Sequence, residues 1–271
     1  MTGSDVAVDF TDYFGKRVVV TGCSSGIGRA VARTLLDLGA DVIGVDRNEP
    51  DPSLRHFVEV DLGDPDSIRR GTEVVGGSVD ALFNCAALPP MAPPMDLLRV
   101  NFLGTRLLTE RIAAGMSDGA AIVSTSSDGG FRWRKRLPLL LEFLGAESFD
   151  AALAWYESNA DRAGHPYAFG KEALNVWTMT TSSALITRGI RINTVSPGSV
   201  QTPMLEAIEN VFPAEMLDAT THVIGRRSTA DEQVAPMLFL NSPMASYVNG
   251  ADLVVDGGHW AQLSAAGDLW D

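Results

Sequence analysis

Arg17-Val18-Val19-Val20-Thr21-Gly22-Cys23-Ser24-Ser25-Gly26-Ile27-Gly28 is the stretch that decides the fold. An apolar run of strand length stops in a turn that holds three glycines within seven residues. Beyond it the period changes, and Ile27, Val31, Leu35 and Leu38 fall on one helical face. Apolar runs bounded by turn residues recur at Asp41–Asp46, His56–Asp61, Val79–Asn84, Ala120–Thr125, Ile190–Val195 and Asp252–Val255. Helical stretches separate them, the longest at Tyr167–Ile186. Runs of this kind predict a seven-stranded parallel sheet with helices on both faces, in one α/β domain spanning residues 1–271.

Composition narrows the partners. The chain has 271 residues, 45% of them apolar, enough for one large core. Its 21 lysines and arginines face 34 acidic residues, a net charge of −13 that repels nucleic acid and anionic membranes. Residues 1–14 carry Asp5, Asp9 and Asp12, lack a secretory pattern, and read as a flexible arm. No run approaches the roughly 20 apolar residues of a membrane helix. The two cysteines, Cys23 and Cys85, sit at a predicted turn and strand end, which suits a reducing cytoplasm. Residues after His259 form a tail or a subunit contact. His56, His165, His222 and His259 have no ligand spacing, so no metal is expected; His165, two residues before Tyr167, is a surface loop residue or a substrate contact.

The glycine turn has a mechanical reading. Gly22 permits the sharp exit from the strand, Gly26 lets backbone approach a pyrophosphate, and Gly28 lets helix pack on sheet. Ser24, Ser25 and Ile27 complete a helix N-terminus that faces phosphates. Asp46 ends the second strand 18 positions after Gly28. A carboxylate there accepts from both ribose hydroxyls and repels an extra phosphate, predicting NAD over NADP, although Arg47 beside it tempers the repulsion. Tyr167 and Lys171, four apart on one helix face, form an acid/base pair. The ammonium is expected to pull the phenol, near 10 when free, down toward neutrality.

The order glycine turn, Asp46, Asp61, Asn84, Asn101, Ser127, Tyr167, Lys171, Pro197-Gly198 resembles the short-chain dehydrogenase/reductase family over nearly the whole chain. That resemblance implies a Rossmann fold and nicotinamide-dependent hydride transfer. It also implies adenine contacts at Asp61 and Leu62, and cofactor contacts at Asn84 and Ala86 in Asn84-Cys85-Ala86-Ala87. Here Ala87 replaces the usual glycine, so its backbone must avoid the left-handed region or bear strain. Ser127 matches the substrate-orienting serine, with Ser126 as the alternative. Asn101 matches the asparagine that bends its helix and joins a water-linked relay to the lysine. Tyr167 and Lys171 also hold the cofactor, and Pro197, Gly198, Val200 and Thr202 match the nicotinamide loop. Residues 202–229 read as a substrate lid, whose Met204, Leu205, Ile208, Phe212 and Met216 fall at helical spacing, facing protein or substrate.

Ser127 and Tyr167 are 40 positions apart, longer than is usual in the family. The insert, residues 131–164, carries Leu137, Leu140, Leu141 and Leu144 at helical spacing, then Phe149, Leu153 and Tyr156, and predicts two short helices. Its basic start, Arg132, Arg134, Lys135 and Arg136, reads as a solvated face. The insert, Val45-Asp46-Arg47-Asn48, Tyr167-Ala168-Phe169-Gly170-Lys171 and Tyr247-Val248-Asn249-Gly250 resemble the group containing 3α-hydroxysteroid dehydrogenase/carbonyl reductase and coniferyl-alcohol dehydrogenase. The group implies a bulky hydrophobic alcohol or ketone substrate of steroid, terpenoid or phenylpropanoid type, and a homodimer or homotetramer. A dinucleotide-sensing protein without chemistry is the alternative on the same fold.

Overall fold

The computed structural model describes residues 12–48, 54–212, 221 and 223–267. Strands β1 (Arg17–Thr21), β2 (Asp41–Asp46), β3 (His56–Glu59), β4 (Val79–Asn84), β5 (Met116–Thr125), β6 (Arg191–Pro197), β7 (Val200–Gln201), β8 (Ser228–Thr229) and β9 (Asp252–Val255) follow in chain order. Seven form one parallel sheet in the order β3-β2-β1-β4-β5-β6-β9. Val18, Val19 and Val20 of β1 are wholly buried, as a central strand covered on both faces requires.

Strand limits depart from the apolar reading at three places. β3 stops at Glu59, because the Asp61 carboxylate accepts from Gly63 N–H and turns the chain. β5 starts at Met116, pairing with Val79 across an irregularity that precedes Ala81. β6 runs from Arg191 to Pro197, two residues past the expected end. The short parallel pair β7–β8, Val200 with Ser228 and Gln201 with Thr229, is absent from the apolar reading.

Helices α1 (Gly26–Asp37), α2 (Pro65–Val75), α3 (Pro94–Leu98) and α4 (Thr105–Ala114) lie in the first half, with a π-helical turn over Arg99–Gly104 joining the last two. One core layer packs Val31 and Leu35 of α1 with Val234 and Met237 of the helix Ala230–Leu240. Tyr13 joins this layer; it is buried, and its hydroxyl donates to the Leu238 carbonyl at 2.7 Å. The expected arm therefore ends before Tyr13, while its residues 1–11 lie outside the described residues.

The opposite layer holds the insert as α5 (Trp133–Leu144), α6 (Phe149–Ser158) and α7 (Ala160–Ala163), packed on the long α8 (Pro166–Leu185). Leu140 and Phe143 are its buried residues on α5, whereas Leu141 is exposed. Phe143 meets Phe169 edge-on at 5.0 Å and Phe102 at 5.5 Å, and Tyr156 donates to the Gly164 carbonyl at 2.7 Å. Arg136 is no solvated charge: it pairs at 3.2 Å with buried Glu172 of α8 and donates to the Ala163 carbonyl. Among the described residues, no helix is long and apolar enough to cross a membrane.

Candidate active site

The strand order reverses beside β1, between β2 and β4, and a cavity of about 670 Å³ opens at the C-terminal strand ends there, where open α/β sheets bind ligands. One end is built by the glycine turn. Gly22 has φ +70°, and a Cβ on it would lie 2.7 Å from Ala86 N. A Cβ on Gly28 would lie 2.2 Å from the Gly22 carbonyl oxygen, so only glycine lets α1 start there. Gly22, Ser24, Ser25, Gly26 and Ile27 line the cavity, as do Arg47, Asp61, Leu62 and Ala86. Asp46 stands at the end of β2; its Oδ2 accepts from Ser24 N at 3.0 Å and Ser24 Oγ at 2.7 Å, and its Oδ1 from Asn48 N at 3.0 Å. Shape and donors fit a dinucleotide: a side-chain-free turn before a helix N-terminus, then a carboxylate at the neighbouring strand end.

At the other end Ser127, Asp128, Tyr167 and Lys171 converge with Pro197, Gly198, Val200 and Thr202. Pro166 at the first turn and the His165 cap, whose Nδ1 accepts from Tyr167 N at 3.3 Å, start α8 so that Tyr167 and Lys171 share its inward face. His165 is thus a cap, a role foreshadowed by its place just before a proline at a helix start. Ser127 donates to Asp128 Oδ1 at 2.8 Å, accepts from Gly129 N at 3.1 Å, and hydrogen-bonds Tyr167. Ser126 instead turns to the buried side and reaches the Lys171 carbonyl at 3.5 Å. Both serines line the cavity, and the Ser127 hydroxyl is the one bonded to Asp128.

Electrostatics at the pair run against the sequence expectation. Burial pushes the Tyr167 phenol up to about 12; the Ser127 hydrogen bond opposes this and the Asp128 charge adds to it. Burial also pushes Lys171 down to about 8. The lysine ammonium lies 5.9 Å from the Tyr167 ring centroid and donates to the Thr125 carbonyl at 2.7 Å, so it does not lower the phenol in this arrangement. Cys85 lines the cavity with its thiol pushed up to about 12 by burial, an inert packing group.

Three expected site residues stand outside the cavity. Gly28 acts beneath the turn, as packing. Asn84 is buried in the sheet layer, its Nδ2 donating to Thr109 Oγ1 at 2.9 Å and Ser124 Oγ at 3.0 Å. Asn101, in the π-helical turn, accepts from Leu88 N at 2.7 Å and donates to the Leu88 carbonyl at 3.0 Å. These two bonds clamp the main chain of Leu88 to the helical turn. Ala87 keeps a negative φ, so the missing glycine costs no left-handed strain. Of the lid stripe, Met204, Leu205, Ile208 and Phe212 line the cavity, while Met216 and His222 lie outside the described residues.

Residues 16–138 match the family model described as short chain dehydrogenase, and residues 153–259 one described as Enoyl-(Acyl carrier protein) reductase. Coniferyl-alcohol dehydrogenase of a Pseudomonas species (strain HR199) is 37% identical over 244 residues, 90% of this chain and 96% of that protein. The 3-alpha-hydroxysteroid dehydrogenase/carbonyl reductase of Comamonas testosteroni is 30% identical over 251 residues, 89% of this chain and 95% of that one. The crystal structure of the 3-alpha-hydroxysteroid dehydrogenase from Pseudomonas sp. B-0831, complexed with NADH, superposes with a TM-score of 0.78 at 29% identity, covering 92% of this chain and 99% of that one. With this match along both halves of the chain, and the glycine turn and Ser127, Tyr167 and Lys171 meeting in one cavity, the chain belongs to the short-chain dehydrogenase/reductase family.

Proposed function

We propose that this protein is an NAD-dependent dehydrogenase that interconverts a bulky hydrophobic cyclic or aromatic alcohol, secondary or allylic, and its carbonyl. The observation that carries the reading is the meeting of Ser127, Tyr167 and Lys171 at one end of a cavity whose other end is a dinucleotide cradle. A bound nicotinamide dinucleotide supplies the hydride acceptor or donor. Asp46 holds the adenosine ribose, with carboxylate lone pairs left beside its bonds to Ser24 and Asn48, and disfavours an added phosphate.

Tyr167 takes the alcohol proton in oxidation and returns it in reduction. Burial keeps the phenol protonated near neutrality, the form that reduction needs, and the positive charge of oxidised nicotinamide favours the phenolate that oxidation needs. Lys171, anchored to Thr125, fixes the helix that carries Tyr167 and places a cation at the ribose. Ser127 orients the substrate oxygen. Leu88, Pro89, Met204, Leu205 and Ile208 give the substrate end an apolar wall, which supports a hydrophobic substrate. The relatives named for coniferyl alcohol and hydroxysteroids support the same class.

Assay with NAD and, separately, NADP against steroid, monoterpene and aromatic alcohols tests this reading. Turnover with NAD that Tyr167→Phe reduces by about 100-fold or more is expected. A Phe variant that keeps wild-type turnover would overturn it, and turnover with NADP alone would overturn the role given to Asp46. A homodimer or homotetramer in the cytoplasm accompanies the proposal, and sedimentation reads the oligomer directly.

A further inference from the structure

Asp128 has no place in the reaction as described above, yet it sits at its centre. Among the described residues that line the substrate end, it and Lys171 are the charged side chains, and Leu88, Pro89, Met204, Ile208 and Phe212 line the same cavity. Its backbone follows Ser127 at the end of β5, and its carboxyl oxygen Oδ1 accepts from Ser127 Oγ at 2.8 Å. Burial pushes the carboxyl upward; hydrogen bonds from Ser127 and Gly129 N–H and the nearby His259 oppose this, and Asp256 adds to it. A carboxylate offers about four acceptor positions, and Ser127 Oγ takes one at 2.8 Å. A buried carboxyl costs stability unless donors meet it, and Asp128 lines the cavity. The cavity puts that donor on the ligand.

Resting on the dehydrogenase reading, we propose that Asp128 recognises a second hydroxyl, vicinal to the reacting carbinol, and that the preferred substrates are hydrophobic vicinal diols. The reacting hydroxyl lies at Tyr167 and Ser127. Because Asp128 is the next hydrogen-bonded group beyond Ser127, a hydroxyl on the adjacent carbon meets its carboxylate. In oxidation the carbinol carbon gives its hydride to the nicotinamide of NAD and its hydroxyl proton to Tyr167. The second hydroxyl keeps its proton throughout, and the product is an α-hydroxyketone.

The test compares indane-1,2-diol, as cis and trans isomers, with 1-indanol, using the full chain and NAD. A diol kcat/KM about 10- to 100-fold above that of the mono-alcohol is expected, the usual worth of a hydrogen bond to a charged group. Asp128→Ala should bring that ratio close to one. A role confined to orienting Ser127 would lower both rates and leave the ratio alone. A ratio near one in the wild type overturns the proposal without any variant, as does an unchanged ratio in Asp128→Ala, and oxidation of other panel alcohols but of neither indane does the same. These outcomes leave the dehydrogenase reading standing. Absence of turnover with every alcohol, NAD or NADP, together with a Tyr167→Phe variant indistinguishable from wild type, takes both down.

Discussion

Lys171 and Thr125 are joined by a 2.7 Å hydrogen bond from the buried ammonium to the last carbonyl of β5. The bond ties α8 to the strand end that carries Ser127, so one contact sets the spacing of serine, tyrosine and lysine.

The same burial makes Lys171 costly. Its value falls from 10.5 to about 8, so below 8 both folded and unfolded chains hold the proton and the full penalty, about 3 kcal/mol, weighs on the fold. Between 8 and 10.5 the folded state releases the proton first, and stability rises with pH. Lys171→Met should abolish turnover yet stabilise the protein at pH 7 by about 1–3 kcal/mol, less than the penalty because the Thr125 carbonyl loses its donor. Urea unfolding at pH 7 and 9.5 checks this: the variant's advantage must shrink at the higher pH, and a less stable variant at pH 7 refutes the account.

Glu172 and Arg136 give a pH dependence of opposite sign. Burial raises the Glu172 carboxyl from 4.5 to about 7, against the pull of Arg136 and Arg132. A raised carboxyl favours the fold fully below 4.5, and that contribution is lost as pH climbs through 7. Arg136→Gln leaves the carboxylate without its 3.2 Å partner and should cost about 2–4 kcal/mol at pH 8, and distinctly less at pH 5. Equal losses at the two pH values in denaturant titrations would contradict the pairing.

Gly28→Ala drives a methyl to 2.2 Å from the Gly22 carbonyl oxygen, a backbone atom with nowhere to go. A loss of about 2–4 kcal/mol is expected, with weakened NAD binding because Gly22 lines the cavity. Thermal unfolding and dinucleotide fluorescence titration would expose a tolerated methyl at once.

Asp46→Ser should raise the KM for NAD by about 10-fold or more and narrow its gap to NADP, since a charged acceptor is lost and a repulsion removed. Ser24 N–H and Oγ both bond this carboxylate, so the variant also loosens the turn. An unaltered ratio of the two KM values would place the ribose elsewhere.

Most of the sheet was legible because a strand covered on both faces must be apolar throughout, as in Val18–Val20. Its edges were harder to see. The segment Met116–Gly119 pairs with Val79 through Met116, and Ser117, Asp118 and Gly119 that follow it carry no apolar signal, and β7–β8 are two residues each. The helical spacing of Tyr167 and Lys171 was readable, since four residues always share a face. The role of Asn101 was not, because it depends on the main chain of Leu88, whose path only tertiary packing decides. Ser126 and Ser127 could be separated only by the direction each side chain takes from the backbone. The electrostatic expectation failed for a related reason: Lys171 spacing predicts nearness to Tyr167, whereas desolvation depends on everything else packed around both.

The π-helical turn at Arg99–Gly104 also works as a phase shifter. One residue more than an α-helical turn needs is absorbed within a continuous helical rod, and about 100° of rotation is taken up without a break. Upstream, Leu97 and Leu98 stay in the core; downstream, Leu108 and Ile112 do as well; in between, the buried Asn101 is turned to bond Leu88. A single deletion there would restore a regular helix at the expense of this indexing. The rod would still form, but its two ends could no longer both face the core while its middle grips the cavity wall.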